Sequence, residues 1–506
     1  MKSGVELIKS FPSIISPLKA TKSEFFSGFF IFFLFLFFSM HILPLAKASV
    51  TFSLLPKSAV PRAAEIEAAS YPPDEKASLS SLLYRQEQAG SFFKGAWSGD
   101  EELCGFVCGT RCASFTEETM SRHDPEGPIL AVHSVCVEQS YRRKGIATAM
   151  LVRYIEEISA DETLSSIRLI AKSHLLSFYV GCGFTVEGLS SIVHGKDPWF
   201  DLSLNLNDYR KPNFFVIDAF TSTPGCGNPA AVVLKATADE DWMKMVAKEF
   251  NLSETVFVEK IADEAGNVFN LRYFTPKTEI GLCGHATLSA ASVIFENGLC
   301  PGAELLNFKT RSGAVLSATR LGKSEISLDF PLNPPSEVTD AETLEEIRSL
   351  VEEALHLERE DIVWIGEVAS KEEESASSAE DILVELRQLA FKSIGNTVDL
   401  ARLKAANAYH HGLIVCAEGD ASAANNGCDF SSRFFAPKIG IDEDPVTGRA
   451  HCVLFPYFSK KLGKPVLKGY QDSPRGGVVK CKAKESRVCL SGECVRVSQG
   501  KLGFSP

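Results

Sequence analysis

Two short segments, Leu282-Cys283-Gly284-His285-Ala286-Thr287 and Asp444-Pro445-Val446-Thr447-Gly448-Arg449-Ala450-His451-Cys452, constrain this chain more than any other feature. Each sets a turn glycine against small, apolar residues that read as a buried helix. A histidine stands at the first helix start and an acidic pair, Glu443-Asp444, just before the second. Backbone N–H groups at a helix N-terminus lack intrahelical partners, and the helix dipole stabilises an anion there. Two such mouths facing one another make a proton-transfer site. Their likeness hints at a domain of two similar halves.

With 506 residues the chain is too long for one ordinary core, so two or three domains are expected. Its 45% hydrophobic and 23% charged content is that of ordinary globular proteins. A net charge of −12 and the lack of a basic stripe exclude a nucleic-acid footprint. The 14 cysteines form no CxxC pair and no His/Cys ligand spacing, which implies free thiols in a reducing compartment and no metal site. No P-loop motif is present.

Residues 1–48 form a distinct leader. Lysines precede an uncharged run, 25–46, rich in phenylalanine and long enough to span a bilayer. Three readings stand open. The preferred one is a membrane anchor through 25–46. A cleaved signal is the second, because Ala46-Lys47-Ala48 is an A-x-A-like site. The third is a targeting extension or an upstream segment of no structural role, with a cytoplasmic or organellar protein after its removal. The cysteines fit poorly with the first two, which direct the downstream chain into an oxidising lumen.

Residues 49–204 alternate strand-like and helix-like segments. Strands are expected at 50–54, 92–97, 103–107, 129–137, 166–171 and 185–193. Helices are expected at 63–70, 174–180 and, most strongly, 143–158, where Ile146, Met150, Leu151, Tyr154, Ile155 and Ile158 share one side. The polar segment 205–212 reads as a linker. From Asn213 onward many strands surround a few small-residue helices. The stretch 371–381 reads as a charged, disordered surface loop without function.

Arg142-Arg143-Lys144-Gly145-Ile146-Ala147 follows a strand and opens the amphipathic helix, an arrangement that binds a pyrophosphate. With Phe178-Tyr179-Val180-Gly181-Cys182-Gly183-Phe184 it resembles the paired motifs of the GNAT acetyltransferases. The histidine-bearing strand Ala131-Val132-His133-Ser134-Val135-Cys136-Val137 is most similar to that of the arylalkylamine (serotonin) N-acetyltransferases, although Ala131 replaces one of their two histidines. The resemblance implies acetyl-CoA as co-substrate, bound by Val137, Arg142, Arg143, Lys144, Gly145, Ile146 and Ala147. It implies His133 in relaying a proton from the amine and Tyr179 in protonating the departing thiolate. Glu65 or Glu67 on the early helix could lie near the amine, but a solvated helix face is the plainer reading. Cys136 reads as packing.

Over residues 213–504 the segments 215–221, Gly227-Asn228-Pro229, Leu252-Ser253-Glu254-Thr255, Arg272-Tyr273-Phe274-Thr275-Pro276 and Tyr470-Gln471-Asp472-Ser473-Pro474-Arg475-Gly476-Gly477 join the two helix mouths in order. Together they resemble the PhzF phenazine-biosynthesis-like family, with the diaminopimelate-epimerase fold. The implied fold class is therefore α/β and α+β multidomain: a GNAT fold, then two pseudo-symmetric halves, roughly 213–320 and 321–504, each a barrel around a central helix. By the resemblance Glu254 is the catalytic glutamate, with His285 and Asp444 beside it, and no cofactor is required. The chemistry asks for a carboxylate whose pKa is raised in a dry cleft. Asn228, Gly284, Thr447, Gly448 and Arg449 are expected to bind substrate. Arg449 departs from the family's usual serine; it would bind a second acid group or obstruct the pocket. Cys283 reads as packing.

The expected function is a bifunctional enzyme: N-acetylation of a small amine, plus proton-shuttling isomerisation of a small cyclic or amino acid. The alternative is an acetyltransferase carrying an idle PhzF-like scaffold. Family analogy alone adds a homodimer.

Overall fold

The strand-like segments at the N-terminal end assemble into one 7-stranded sheet. The computed structural model describes residues 50–504 apart from residues 100, 121, 236–238, 262–265, 312, 314, 370–378, 396 and 420–426, and apart from the side chains of residues 120 and 410. The hydrophobic segment 25–46 thus lies outside the described residues. Among those described, no helix is long and apolar enough to cross a membrane.

The sheet runs in the order Thr51–Leu54, Phe93–Trp97, Leu103–Cys112, Ile129–Val137, Ser166–Ala171, Phe200–Asn205 and Thr185–Leu189. Only Ile129–Val137 and Ser166–Ala171 pair in parallel, and the helix Ile146–Ser159 makes the crossover that a parallel pair requires. Its buried face is the expected one, with Ile146, Met150, Leu151, Tyr154, Ile155 and Ile158 in the core. The short helix Glu117–Met120 and two larger elements escaped the sequence reading. The helix Leu79–Ala89 buries only Leu82 and Ala89, too few for a readable period, and Phe200–Asn205 adds a strand where the expected 185–193 strand has already stopped.

The parallel pair is short. Its partners are Ile129–Ser166, Leu130–Ile167 and Ala131–Arg168; beyond them the two strands part. A bulge lies on the other side of the same strand, where Val132 faces Gly109 and Ser134 faces Cys108, leaving His133 as the extra residue. Bulges re-aim a side chain and end regular pairing.

The segment expected to be a linker contains a short helix, Leu206–Arg210. Asn205 caps it by accepting from the N–H groups of Asn207 and Asp208. Leu206 is buried in the first core, and Arg210 donates to the carbonyls of Ser159, Asp161 and Leu164.

The remaining chain builds a 16-stranded sheet. Around one ring run Glu325–Pro331, Val315–Arg320, Leu305–Thr310, Val268–Phe274, Glu254–Lys260, Asn228–Val233 and Asn213–Ala219. The long strand Arg487–Lys501 closes it. Its residues 494–501 pair with Asn213–Ala219 and its residues 487–493 with Glu325–Pro331. The helix Gly284–Glu296, buried from His285 to Ile294, packs against these strands. The first half therefore reaches Pro331 and includes the end of Arg487–Lys501, so the division expected near residue 320 is displaced.

From the same long strand the sheet continues through Gly477–Lys484, Val466–Gln471, Phe430–Phe435, Tyr409–Glu418, Ala379–Leu386 and Ile362–Val368. The helix Gly448–Leu462 packs on it. Among the described residues this second sheet does not close. Of the expected surface loop, 371–378 lie outside the described residues. Residues 379–381 begin a strand and Asp381 is fully buried, which corrects that expectation.

Candidate functional site

The two helix mouths do face one another. A Cβ built on Gly284 would lie 3.7 Å from the Cα of Gly448, so the two helix starts meet with little more than a methyl group's width between them. Cys283 and Thr447 precede the helices, and neither caps its helix with its side chain. The loop before Asn228 is held by Gly227, at φ 67°, where a Cβ would stand 2.2 Å from the Ala219 carbonyl oxygen, so only glycine fits. Arg475 fixes that loop by donating to the carbonyls of Gly227 (2.8 Å) and Cys226 (3.0 Å) and to Asp218 (2.7 Å).

Glu254, His285 and Asp444 come together between the halves, all buried. His285 Nε2 lies 3.0 Å from Glu254 Oε2 and 3.3 Å from the Ser253 hydroxyl. Yet Glu254 Oε2 completes no hydrogen bond. Cys283 Sγ is 3.4 Å from His285 Nδ1, and the carboxylate, thiol and imidazole donor atoms lie within 4.8 Å of one another, close enough to hold a metal ion. Burial pulls the His285 pKa down, but Cys283 and Glu254 outweigh it and lift the pKa well above its ordinary value. Burial pushes the Glu254 pKa up, and the charge of His285, helped by Ser253 and Cys283, more than reverses this. The expected raised carboxylate is therefore not Glu254. It is Asp444, which burial pushes up to about 6 against the opposing charge of His285.

Asn228, expected to meet substrate, is fully buried and braces the two halves. Its amide nitrogen lies 2.9 Å from Asp444 Oδ1, 2.9 Å from the Val446 carbonyl oxygen and 3.1 Å from His285 Nδ1. The Thr447 hydroxyl donates to Asp444 Oδ2. Gln471 belongs to the 470–477 motif, yet nothing in the sequence assigns it a role. It accepts from the Thr447 N–H at 2.8 Å and donates to the Asp444 carbonyl at 2.6 Å, and so sets the second mouth.

Arg449, expected to bind substrate, does not stand free. Its Nε and Nη2 donate to Asp381 at 3.1 and 3.0 Å, and Glu380 adds a second carboxylate at 2.5 Å. Asp381 also pairs with His411 Nδ1 at 2.8 Å. A buried carboxylate needs such compensation, and Arg449 supplies it.

The second candidate site fills the gap between the parted strands. A cavity of about 230 Å³ is lined by Glu67, Tyr71, His133, Ser134, Tyr179 and Trp199, among others. An adjoining cavity of about 370 Å³ shares Tyr71, Glu75, Ile170, Tyr179 and Trp199 and reaches Lys172 and Ser173. Burial pushes the Tyr179 pKa up, so the phenol keeps its proton. Burial, with Arg85, pulls the His133 pKa well below its ordinary value; the ring is neutral and lies 2.7 Å from the Thr110 hydroxyl.

Glu65 is exposed and pairs with Arg62. Glu67 corrects the solvated-face reading: it is 2% exposed and accepts from Ser134 (3.1 Å), the Ala77 N–H (3.0 Å) and the Cys136 thiol (3.2 Å). Helix period alone could not show this, since Ser134 and Cys136 come from a strand far along the chain.

The basic turn has the shape an anion needs. Arg143 and Gly145 both have positive φ, 62° and 81°, and the helix Ile146–Ser159 carries no side-chain cap. Alternating backbone of this kind turns successive N–H groups to one side. Lys144, Ile146 and Ala147 complete the turn, while Arg142 braces it, donating to the Val137 carbonyl (2.8 Å) and Ser70 (3.0 Å). These residues fit a pyrophosphate, and the parted strands beside Tyr179 fit the arm attached to it.

Comparison with known proteins matches residues 217–500 to the model described as phenazine biosynthesis-like protein and residues 60–184 to the acetyltransferase (GNAT) family. An uncharacterized isomerase of Pseudomonas aeruginosa is 39% identical over 295 residues, covering 58% of this chain and 98% of that protein. Phenazine biosynthesis-like domain-containing protein 2 of Mus musculus is 36% identical over 299 residues, covering 57% and 98%. A crystal structure of a PhzF-family protein from Enterococcus faecalis is 35% identical, with a TM-score of 0.49, covering 58% of this chain and 100% of that one.

Proposed function

The chain belongs to the phenazine biosynthesis-like family over residues 217–500 and carries an acetyltransferase (GNAT) domain over residues 60–184, and from that premise we propose a bifunctional enzyme that N-acetylates a small amine and moves a proton within a small amino acid.

One observation carries the isomerase reading: a buried, ionised Glu254 holds an oxygen without a hydrogen-bond partner, 3.0 Å from an imidazolium. Glu254 takes the proton from one substrate carbon and returns it to another, while His285 balances the charge. Asp444, titrating near 6, exchanges a proton readily close to neutrality. The Gly284 and Gly448 mouths receive the substrate carboxylate. With Arg449 committed to Asp381, the obstruction that favoured an idle scaffold loses its support.

In the acetyl-transfer site, Tyr179 keeps the proton that a departing thiolate needs, and neutral His133 can accept one from the amine. Glu67 presents a carboxylate to the attacking group. Acetyl-CoA, when bound, supplies the thioester; Arg143, Lys144, Gly145, Ile146 and Ala147 would hold its pyrophosphate.

Both halves are tested on the full chain. Thiol release with acetyl-CoA and a panel of amines is expected to depend on the amine; release without any amine preference would defeat the first activity. Deuterium from solvent is expected to enter a carbon of a small amino acid. Its absence across a broad panel would defeat the second.

A further inference from the structure

The cavity between the parted strands holds one positive charge that nothing in the acetyl-transfer mechanism uses. Arg85, on the helix Leu79–Ala89, lines that cavity and is half-buried. Its guanidinium makes a long contact of 4.0 Å to the Cys108 thiol. Among the described residues no carboxylate pairs with it. A half-buried guanidinium facing a cavity without an anion is an incomplete arrangement, because a cation withdrawn from water needs a compensating charge.

The other charged groups of the cavity do not supply one. Glu75 is already matched by Lys172 at 2.7 Å. Glu117 is exposed at the rim. Glu67 is held by the neutral donors Ser134, Cys136 and the Ala77 N–H, and no cation pairs with it among the described residues. The cavity thus presents one carboxyl group and one guanidinium, neither in a direct ion pair among the described residues, to the same small space, beside the walls of Tyr71, Ile192 and Trp199. A simple amine would satisfy Glu67 and leave Arg85 facing a second positive charge. A zwitterion satisfies both.

We propose that the acceptor of the acetyl group is an amino acid, with Arg85 binding its carboxylate and Glu67 facing its amine. This rests on the acetyltransferase reading above and narrows its substrate class. Arg85 is then a specificity-determining residue, because it touches the substrate away from the reacting nitrogen. It also gives the two sites of the chain a common substrate class.

The test is a matched pair of acceptors that differ only in the carboxylate: tryptophan with tryptamine, and phenylalanine with phenethylamine. The readout is the ratio of kcat/KM for the amino acid to that for its amine, measured on the full chain. The unaltered protein is expected to favour the amino acid. Arg85→Met is expected to reduce the ratio about 10–100-fold, the worth of a lost charge-assisted hydrogen bond, mainly through KM of the amino acid. Arg85→Lys should recover part of it. Arg85 also depresses the His133 pKa, and loss of that effect would act on both acceptors alike, leaving the ratio unchanged. Equal loss for both acceptors in a folded Arg85→Met protein would overturn the proposal, as would a preference of the unaltered protein for the amine. If neither acceptor is acetylated while acetyl-CoA binds, the acetyltransferase reading itself has failed, a result distinct from an unaltered ratio.

Discussion

The two candidate sites solve opposite problems. Between the parted strands the protein leaves things undone: strand edges without partners among the described residues, a helix start without a side-chain cap, and cavities of about 230 and 370 Å³. Between the helix mouths most polar groups are spoken for, through Asn228, Thr447, Gln471 and Ser253, and one oxygen of Glu254 is among those left without a partner. Under the proposed function, the difference suits the needs of each reaction. Group transfer brings two molecules together, so space and unused backbone donors do most of the work. Proton transfer to and from carbon needs a charge held dry and still, so side chains restrain one another.

Substitutions that affect only one site would sharpen that contrast. The largest effect is expected for Glu254→Gln: deuterium incorporation should fall about a thousandfold, while acetyl transfer continues. Loss of both would mean that the two sites are not independent. Tyr179→Phe should lower the kcat of acetyl transfer about 10–100-fold with little change in KM for acetyl-CoA. An unchanged kcat would leave the phenol a packing role.

Next comes Asp444→Asn. The folded pKa of about 6 lies above the ordinary 3.8, so the carboxyl's contribution to stability is complete below about 3.8 and is lost as pH rises through 6. The variant should therefore gain on the parent between pH 4 and 7, by about 1–3 kcal/mol, in denaturant titrations. A difference independent of pH would mean that burial does not hold the carboxyl protonated. The smallest effect is expected for Arg449→Ser, which leaves Asp381 with only His411 and should cost about 1–2 kcal/mol in the same titrations. Altered substrate choice in this variant would show that Arg449 does face the cleft.

The fold class and the convergence of Glu254, His285 and Asp444 were legible because their motifs, anchored by glycines and prolines at fixed offsets, stand in the order of the family they resemble. What escaped depends on contacts distant in sequence. Glu254 was expected to be a raised carboxylate from burial alone; the outcome turned on the proximity of His285, which no spacing encodes. Arg449 was read as a cation at a helix mouth, and its pairing with Asp381 was not legible because Asp381 lay at the edge of a stretch read as a charged loop. Glu67 looked solvated because its partners are on another element. Asn228 and Gln471 stood inside recognised motifs, but a motif does not say whether an amide faces a ligand or the opposite half of the domain.

The strand Arg487–Lys501 closes the first ring from the far end of the domain. During synthesis, then, the segments from Asn213 to Pro331 emerge early and wait for almost the whole of the second half before their last edge is covered. Until that moment both Asn213–Ala219 and Glu325–Pro331 offer an open strand edge to any passing chain. A nascent polypeptide with this topology depends on its surroundings for protection until the ribosome has delivered its final strand.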